Sequence, residues 1–145
     1  MHEDRFTIVE DLVAPGEPGS GHHLVDYETQ ALVSTLWSAY LARARQGLAP
    51  TPVTQAMRRV TYSLDSECFA GDRLQRGIRV AGRSRRACTF EAALWHADDG
   101  RMVHAAELVT VFIEPGKGAV EIPEDFWAAV EAIEGRRIEA AAPAG

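Results

Sequence analysis

Between Ala31 and Ala42 the chain carries no formal charge, and its apolar residues return at helical spacing. Leu32, Leu36, Ala39 and Tyr40 make one face, and Val33, Trp37 and Leu41 populate another. A helix apolar on nearly all sides is normally buried on most of them. The spacing predicts a helix starting near Asp26, a plausible N-cap, and ending near Gly47, with Pro50 and Pro52 barring continuation. At about 20 residues it spans roughly 30 Å, enough to cross a small domain. After Pro52 the period changes to two. Val60, Tyr62 and Leu64 alternate with Arg59, Thr61, Ser63 and Asp65. Leu74, Ile78 and Val80 share a face of the next run, and Cys88, Phe90, Ala92 and Leu94 oppose Thr89 and Glu91 in the one after. Asp98-Asp99-Gly100 is a hairpin turn leading into a fourth run that ends at Pro115-Gly116. Long consecutive strands with short turns imply an antiparallel meander, with the preceding strand joining the same sheet.

The flanks are simpler. Phe6 to Val13 is a short β-prone run, followed by a loop rich in Pro and Gly from Pro15 to Gly21. Pro123 to Ile133 reads as a short helix with Phe126, Val130 and Ile133 on one apolar face. Residues 1–135 therefore form one domain, and 136–145 read as a flexible tail. A lone apolar helix followed by long antiparallel strands is an α+β layout. The sheet must curve about the helix, and its edges invite association.

Composition narrows the function classes. With 145 residues and 46% hydrophobic content, the chain can bury a real core. A formal net charge of -6 gives no support to nucleic-acid binding. Cys68 and Cys88 are far apart and fit no metal-ligand spacing, so they read as free thiols of a reducing compartment. The polar, acidic start MHEDRFTIVEDL is wrong for a signal peptide, and the apolar stretch is too short for a membrane span. The expected setting is cytoplasmic.

The loop and helix start GHHLVDY, the strand motif VTYSLDSECFAGDRL and the later run IRVAGRSRRACTFEAALWHADDGRMVHAAELVTVFI occur in this order over about residues 5 to 125. In this the chain resembles the hotdog-fold thioesterases, in particular the 4-hydroxybenzoyl-CoA thioesterase type. The resemblance implies a curved antiparallel sheet wrapped around one long central helix. It also implies edge-to-edge homodimers, often tetramers of dimers, that hydrolyse acyl-CoA or acyl-carrier-protein thioesters. Coenzyme A or the carrier would be part of the substrate, with no separate cofactor. In that family a carboxylate near the helix start is nucleophile or general base, and backbone N–H groups there polarise the carbonyl. One departure stands out. The common subtype has Asp three residues before the loop glycine, and matching that glycine to Gly21 puts Pro18 there, with Glu17 beside it. The subtype's Asn-Asn pair is absent too. Other branches carry the acid in the first turns of the helix, where Asp26 and Glu28 stand. Alternatives on the same fold are a non-catalytic binder of acyl groups or carriers and an enoyl hydratase or dehydratase. The latter's histidine-plus-aspartate pattern has no clean match.

Residue types agree with this chemistry. Thioester hydrolysis needs an ionised carboxylate near the carbonyl carbon and donors where the oxyanion develops. A helix start supplies free N–H groups and a positive field. Gly21 and Leu24 are expected to let the carbonyl approach the backbone, and His22 and His23 to orient substrate, donate to it or act as base. Asp26 also suits capping and Glu28 a first-turn acid; if Asp26 caps, Glu28 is the freer group. Arg83, Ser84 and Arg85 are candidates for carrier phosphates. His96 and His104 lie on other strands with no ligand spacing, so no metal site is expected.

Overall fold

The computed structural model describes residues 2–140. The predicted helix is α1, Asp26–Arg45, with Val33, Leu36, Tyr40 and Ala44 buried at steps of three and four. Its first turn holds Asp26 and Glu28 and its last Arg43 and Arg45, each favourable to the helix dipole. Burial is one-sided, however. Ala31, Thr35, Ser38, Ala39 and Ala42 are exposed, so the helix is cradled rather than enclosed. Small side chains lose little by facing water, whereas burying each Leu or Tyr stabilises the fold by about 1.5–3 kcal/mol. Trp37 is half-buried, and its Nε1 donates to Thr110 Oγ1 at 2.8 Å.

Among the described residues six strands form one antiparallel sheet: β1 Ile8–Val13, β2 Thr54–Leu64, β3 Arg73–Arg83, β4 Ala87–His96, β5 Met102–Glu114 and β6 Gly118–Val120. Their order is β1-β3-β4-β5-β2, with β6 on β5. The expected meander is β3-β4-β5. The strand before it does join the sheet, but at the far edge, beside β5. β6 was not anticipated. β4 begins at Ala87 opposite Val111, leaving Phe112 to Glu114 open, and β6 fills that gap. A bulge between Met57 and Arg59 interrupts β2, whose second side pairs with nothing among the described residues.

Cys88, Phe90, Ala92 and Leu94 face α1 as their alternation predicts, and Phe90 meets Tyr40 edge-on at 5.1 Å. The second helix, α2 (Glu124–Glu134), closes one end, with Phe126 against Phe112 at 4.7 Å. Trp95 points the other way. It stacks on Phe6 at 5.6 Å in a small cluster on the outer face of the sheet. Gly77 makes this cluster fit, since a Cβ there would lie 2.6 Å from the Phe6 ring.

Past α2, Ile138 is buried, its N–H donates to Glu131 Oε2 at 2.8 Å, and Arg83 Nη1 donates to its carbonyl. Residues 141–145 of the expected tail lie outside the described residues. Cys68 and Cys88 are both free and buried. Among the described residues no helix is long and apolar enough to cross a membrane.

Candidate active site at the start of the long helix

Two loops fix the start of α1. Leu24 N–H donates to Cys68 O at 3.0 Å, Ala70 N–H to His22 O at 2.9 Å, and Ala14 N–H to Asp72 O at 2.8 Å. Gly71 is required in this seam: its φ is +92° and a Cβ would press on Pro18 at 2.9 Å. Gly21 differs. A Cβ there would meet no protein atom within 4 Å, and its φ of +78° is one that side-chain-bearing residues rarely adopt.

The loops set the helix register, and the register sorts the acids. Val25, not Asp26, is the N-cap, so Asp26 is the first helical residue and Glu28 the third. The valine side chain cannot accept a hydrogen bond, which leaves a one-sided capping box: Val25 N–H donates to Glu28 Oε1 at 3.1 Å. His22 Nε2 lies 3.0 Å from both Glu28 oxygens. The His22 contact and the Val25 N–H hold the Glu28 carboxyl below its usual range, against a small opposing effect of burial. Glu28 is thus doubly engaged in shaping the loop. Asp26 is freer. Tyr62 on β2 donates its hydroxyl to Asp26 Oδ2 at 3.1 Å, and Oδ1 has no hydrogen-bond partner among the described residues.

Of the backbone amides around the helix start, Leu24 N–H is taken by Cys68 O, while His23, Asp26 and Tyr27 N–H donate to nothing among the described residues. A cavity of about 460 Å³ opens here, lined by His23, Leu24, Asp26, Leu64, Glu67 and Val103 among others. Asp26 borders it; Glu28 and His22 do not. His23 sits on its wall, 5.5 Å from the Phe69 ring and 3.8 Å from Glu67. Cys68 lies under the loop, and burial, then Asp72, push its thiol up to about 11, so it is protonated at neutral pH and no nucleophile.

Tyr62 and His104 went unassigned in the sequence. Tyr62 shares inward parity with Val60 and Leu64. His104 is a fully buried imidazole on the face of β5 that carries Ala106 and Leu108. A histidine on an otherwise apolar parity was the available signal. Burial holds it below its ordinary value, with Asp65 and Asp26 acting weakly the other way.

Arg83, Ser84 and Arg85 are not brought to this tip within one chain. They stand at the end of β3, whose start adjoins the tip, so roughly 30 Å of strand separates them. Arg83 grips Glu124 with contacts of 2.8 and 3.0 Å and lies 4.6 Å from the Trp127 ring, pinning α2, and Arg85 pairs with Glu121. A larger cavity, about 840 Å³, opens at the other end of α1 between Leu48, Val53, Phe112 and Phe126. Its one carboxylate, Asp125, has no hydrogen-bond partner to orient it among the described residues, which makes the tip the better candidate for chemistry.

No family model and no curated protein matches the chain. Solved structures do. A thioesterase from Thermus thermophilus, complexed with coenzyme A and zinc, is 19% identical over 92% of this chain and 98% of its own, with a TM-score of 0.74. A Staphylococcus aureus protein in complex with CoA is 15% identical over 93% and 88%, with a TM-score of 0.73. A 1,4-dihydroxy-2-naphthoyl-CoA thioesterase from Synechocystis is 12% identical over 84% and 93%, with a TM-score of 0.69. The chain has the hotdog fold.

Proposed function

We propose that the protein hydrolyses an acyl-CoA or acyl-carrier-protein thioester at the tip of α1, with Asp26 as the acting carboxylate. One observation carries this reading: Asp26 borders the cavity, and its carboxylate has one oxygen held by Tyr62 and the other without a hydrogen-bond partner among the described residues. Similarity to proteins solved with CoA bound supports the substrate class. Asp26 takes a proton from a water molecule as that oxygen attacks the thioester carbonyl carbon. Charge moves onto the carbonyl oxygen, where the open Asp26 and Tyr27 N–H groups and the positive helix end stabilise it. The C–S bond breaks as the carbonyl re-forms, and the proton held by Asp26 passes to the departing thiolate. The products are a free thiol and a carboxylic acid, which ionises to water. His23 is among the polar residues on the cavity wall, with Thr29, Asp65, Ser66 and Glu67; Leu24 walls the acyl group, and His22 acts indirectly by fixing Glu28.

In this reading two chains pair through the unpaired side of β2, as a homodimer or a tetramer of dimers. The test is a panel of acyl-CoA and acyl-carrier thioesters, followed with a chromogenic thiol reagent, for native protein and Asp26→Asn. Thiol release by the native protein and its loss in the variant are expected. Thermal shifts with no thiol release on any substrate would instead mean a binding protein, and loss of enoyl absorbance without free thiol a hydratase.

A further inference from the structure

We propose that Tyr62 and His104 are positioning residues for the Asp26 carboxylate, the tyrosine by hydrogen bond and the histidine as the platform beneath it. The inference rests on the reading of Asp26 as the acting acid. Its basis is a closed circuit joining the edge strand, the sheet interior and the first turns of α1. Leu64 pairs with His104 and Tyr62 with Ala106, so Tyr62 and His104 are diagonal neighbours on one face, within reach for large rings. Their rings lie 4.9 Å apart at 13°, nearly parallel. Tyr62 reaches over to Asp26 Oδ2.

His104 is locked from below. Its Nε2 is 2.7 Å from Gln30 Oε1, and its Nδ1 is 2.9 Å from Thr29 Oγ1. The Gln30 amide nitrogen donates to Ser34 Oγ at 3.1 Å, which turns its oxygen toward the imidazole. An amide oxygen only accepts, so Nε2 carries a proton. The Thr29 hydroxyl, which donates to Asp26 O at 3.1 Å, also meets Nδ1. Both ring nitrogens are held, burial favours the neutral form, and the ring presents a flat face to the tyrosine. Without the platform, Tyr62 is a partly exposed side chain on an edge strand, free to change rotamer. With it, the hydroxyl is aimed at one carboxylate oxygen and the other is left for the reacting proton. The two-residue offset between Tyr62 and Leu64 also explains why the cavity wall and the positioning hydroxyl come from the same strand.

Three measurements test this. Tyr62→Phe keeps the ring stack and removes the hydroxyl. Thiol release should fall about 10- to 100-fold in kcat with KM within about twofold, because misplacement of a reacting group acts on turnover. In an Asp26→Asn background the same change should cost nothing further. The Asp26 carboxylate raises the Tyr62 hydroxyl above its ordinary value. Asp26→Asn should therefore bring one tyrosine back down in an ultraviolet titration, by comparison with Tyr62→Phe. If Asp26→Asn abolishes turnover but Tyr62→Phe leaves kcat intact, the positioning role is wrong and the hydrolase reading survives. An unchanged tyrosine titration in Asp26→Asn likewise overturns the positioning role. If Asp26→Asn is fully active, both readings go together.

Discussion

Asp26→Asn and Glu28→Gln separate two acids that stand two residues apart on the same turn. Asparagine is isosteric and keeps an oxygen for the Tyr62 hydroxyl, so the local geometry survives. What disappears is one negative charge at the first position of a 20-residue helix, a contribution of about 0.3–1 kcal/mol. For a domain of this size, about 1 kcal/mol moves the melting temperature by roughly 3 °C. The loss of a general base is much larger, about 10²- to 10⁴-fold in kcat. At 1.36 kcal/mol per tenfold that is about 2.7–5.4 kcal/mol of barrier, several times the fold effect. Glu28→Gln should do the reverse. Its amide oxygen still accepts from Val25 N–H, but the charged contact with His22 is lost, loosening the loop. The expectation is a lower melting temperature with kcat within about threefold of native. The assay is thiol release at saturating and limiting thioester, alongside thermal melts. An inactive Glu28→Gln beside an active Asp26→Asn would reverse the assignment. Native rates in both, with both folded, would remove the carboxylate mechanism altogether.

Other outcomes follow from the fold and its charges. Gly77→Ala places a Cβ 2.6 Å from the Phe6 ring and should destabilise by about 1–3 kcal/mol in chemical denaturation, much of it recovered in the double variant with Phe6→Ala; strictly additive losses would refute the contact. His104, held below its ordinary value of about 6.5, binds protons more readily when unfolded. Stability should therefore fall as pH drops below about 6.5, by up to about 1.4 kcal/mol per pH unit, and the slope should shrink in His104→Gln. Glu28 has the sign usual for a carboxylate: its contribution is present above the ordinary value of 4.5 and is lost as pH falls through its lowered one. Melts below pH 4.5 should show this loss in native protein and not in Glu28→Gln. Arg83→Ala removes the hold on Glu124 and Trp127, so the melting temperature should drop while KM for the thioester stays within about twofold; a tenfold rise in KM would return Arg83 to the substrate.

The periodic elements were legible because burial writes its period into the chain. α1 and the strands β2 to β5 fall where a step of 3.6 or of two predicts them. The sheet order was not legible. β2 pairs with β5, with two other strands intervening in sequence, and local pattern says nothing about such partners. β6 has only Gly118, Ala119 and Val120, and exists because β5 outruns β4. The one-sided cradle around α1 is hidden in the apolar pattern because Ala31, Ala39 and Ala42 count as apolar yet bring little area to bury.

The ambiguity between Asp26 and Glu28 has a more particular origin. Both residue types suit a first turn, and capping rules favour aspartate over valine at the N-cap. What overrides the preference is a hydrogen bond from outside the helix. Leu24 N–H is tied to Cys68 O, which keeps the backbone extended through Val25 and delays the first helical residue to Asp26. That single step turns Glu28 into the third residue, where its side chain folds back on Val25 N–H, and frees Asp26 from capping altogether. The partner strand then supplies Tyr62, a residue 36 positions away, to hold the freed carboxylate. A shift of one residue in the helix start would exchange the two acids' surroundings, so the loop seam between Leu24 and Cys68 decides which of them borders the cavity.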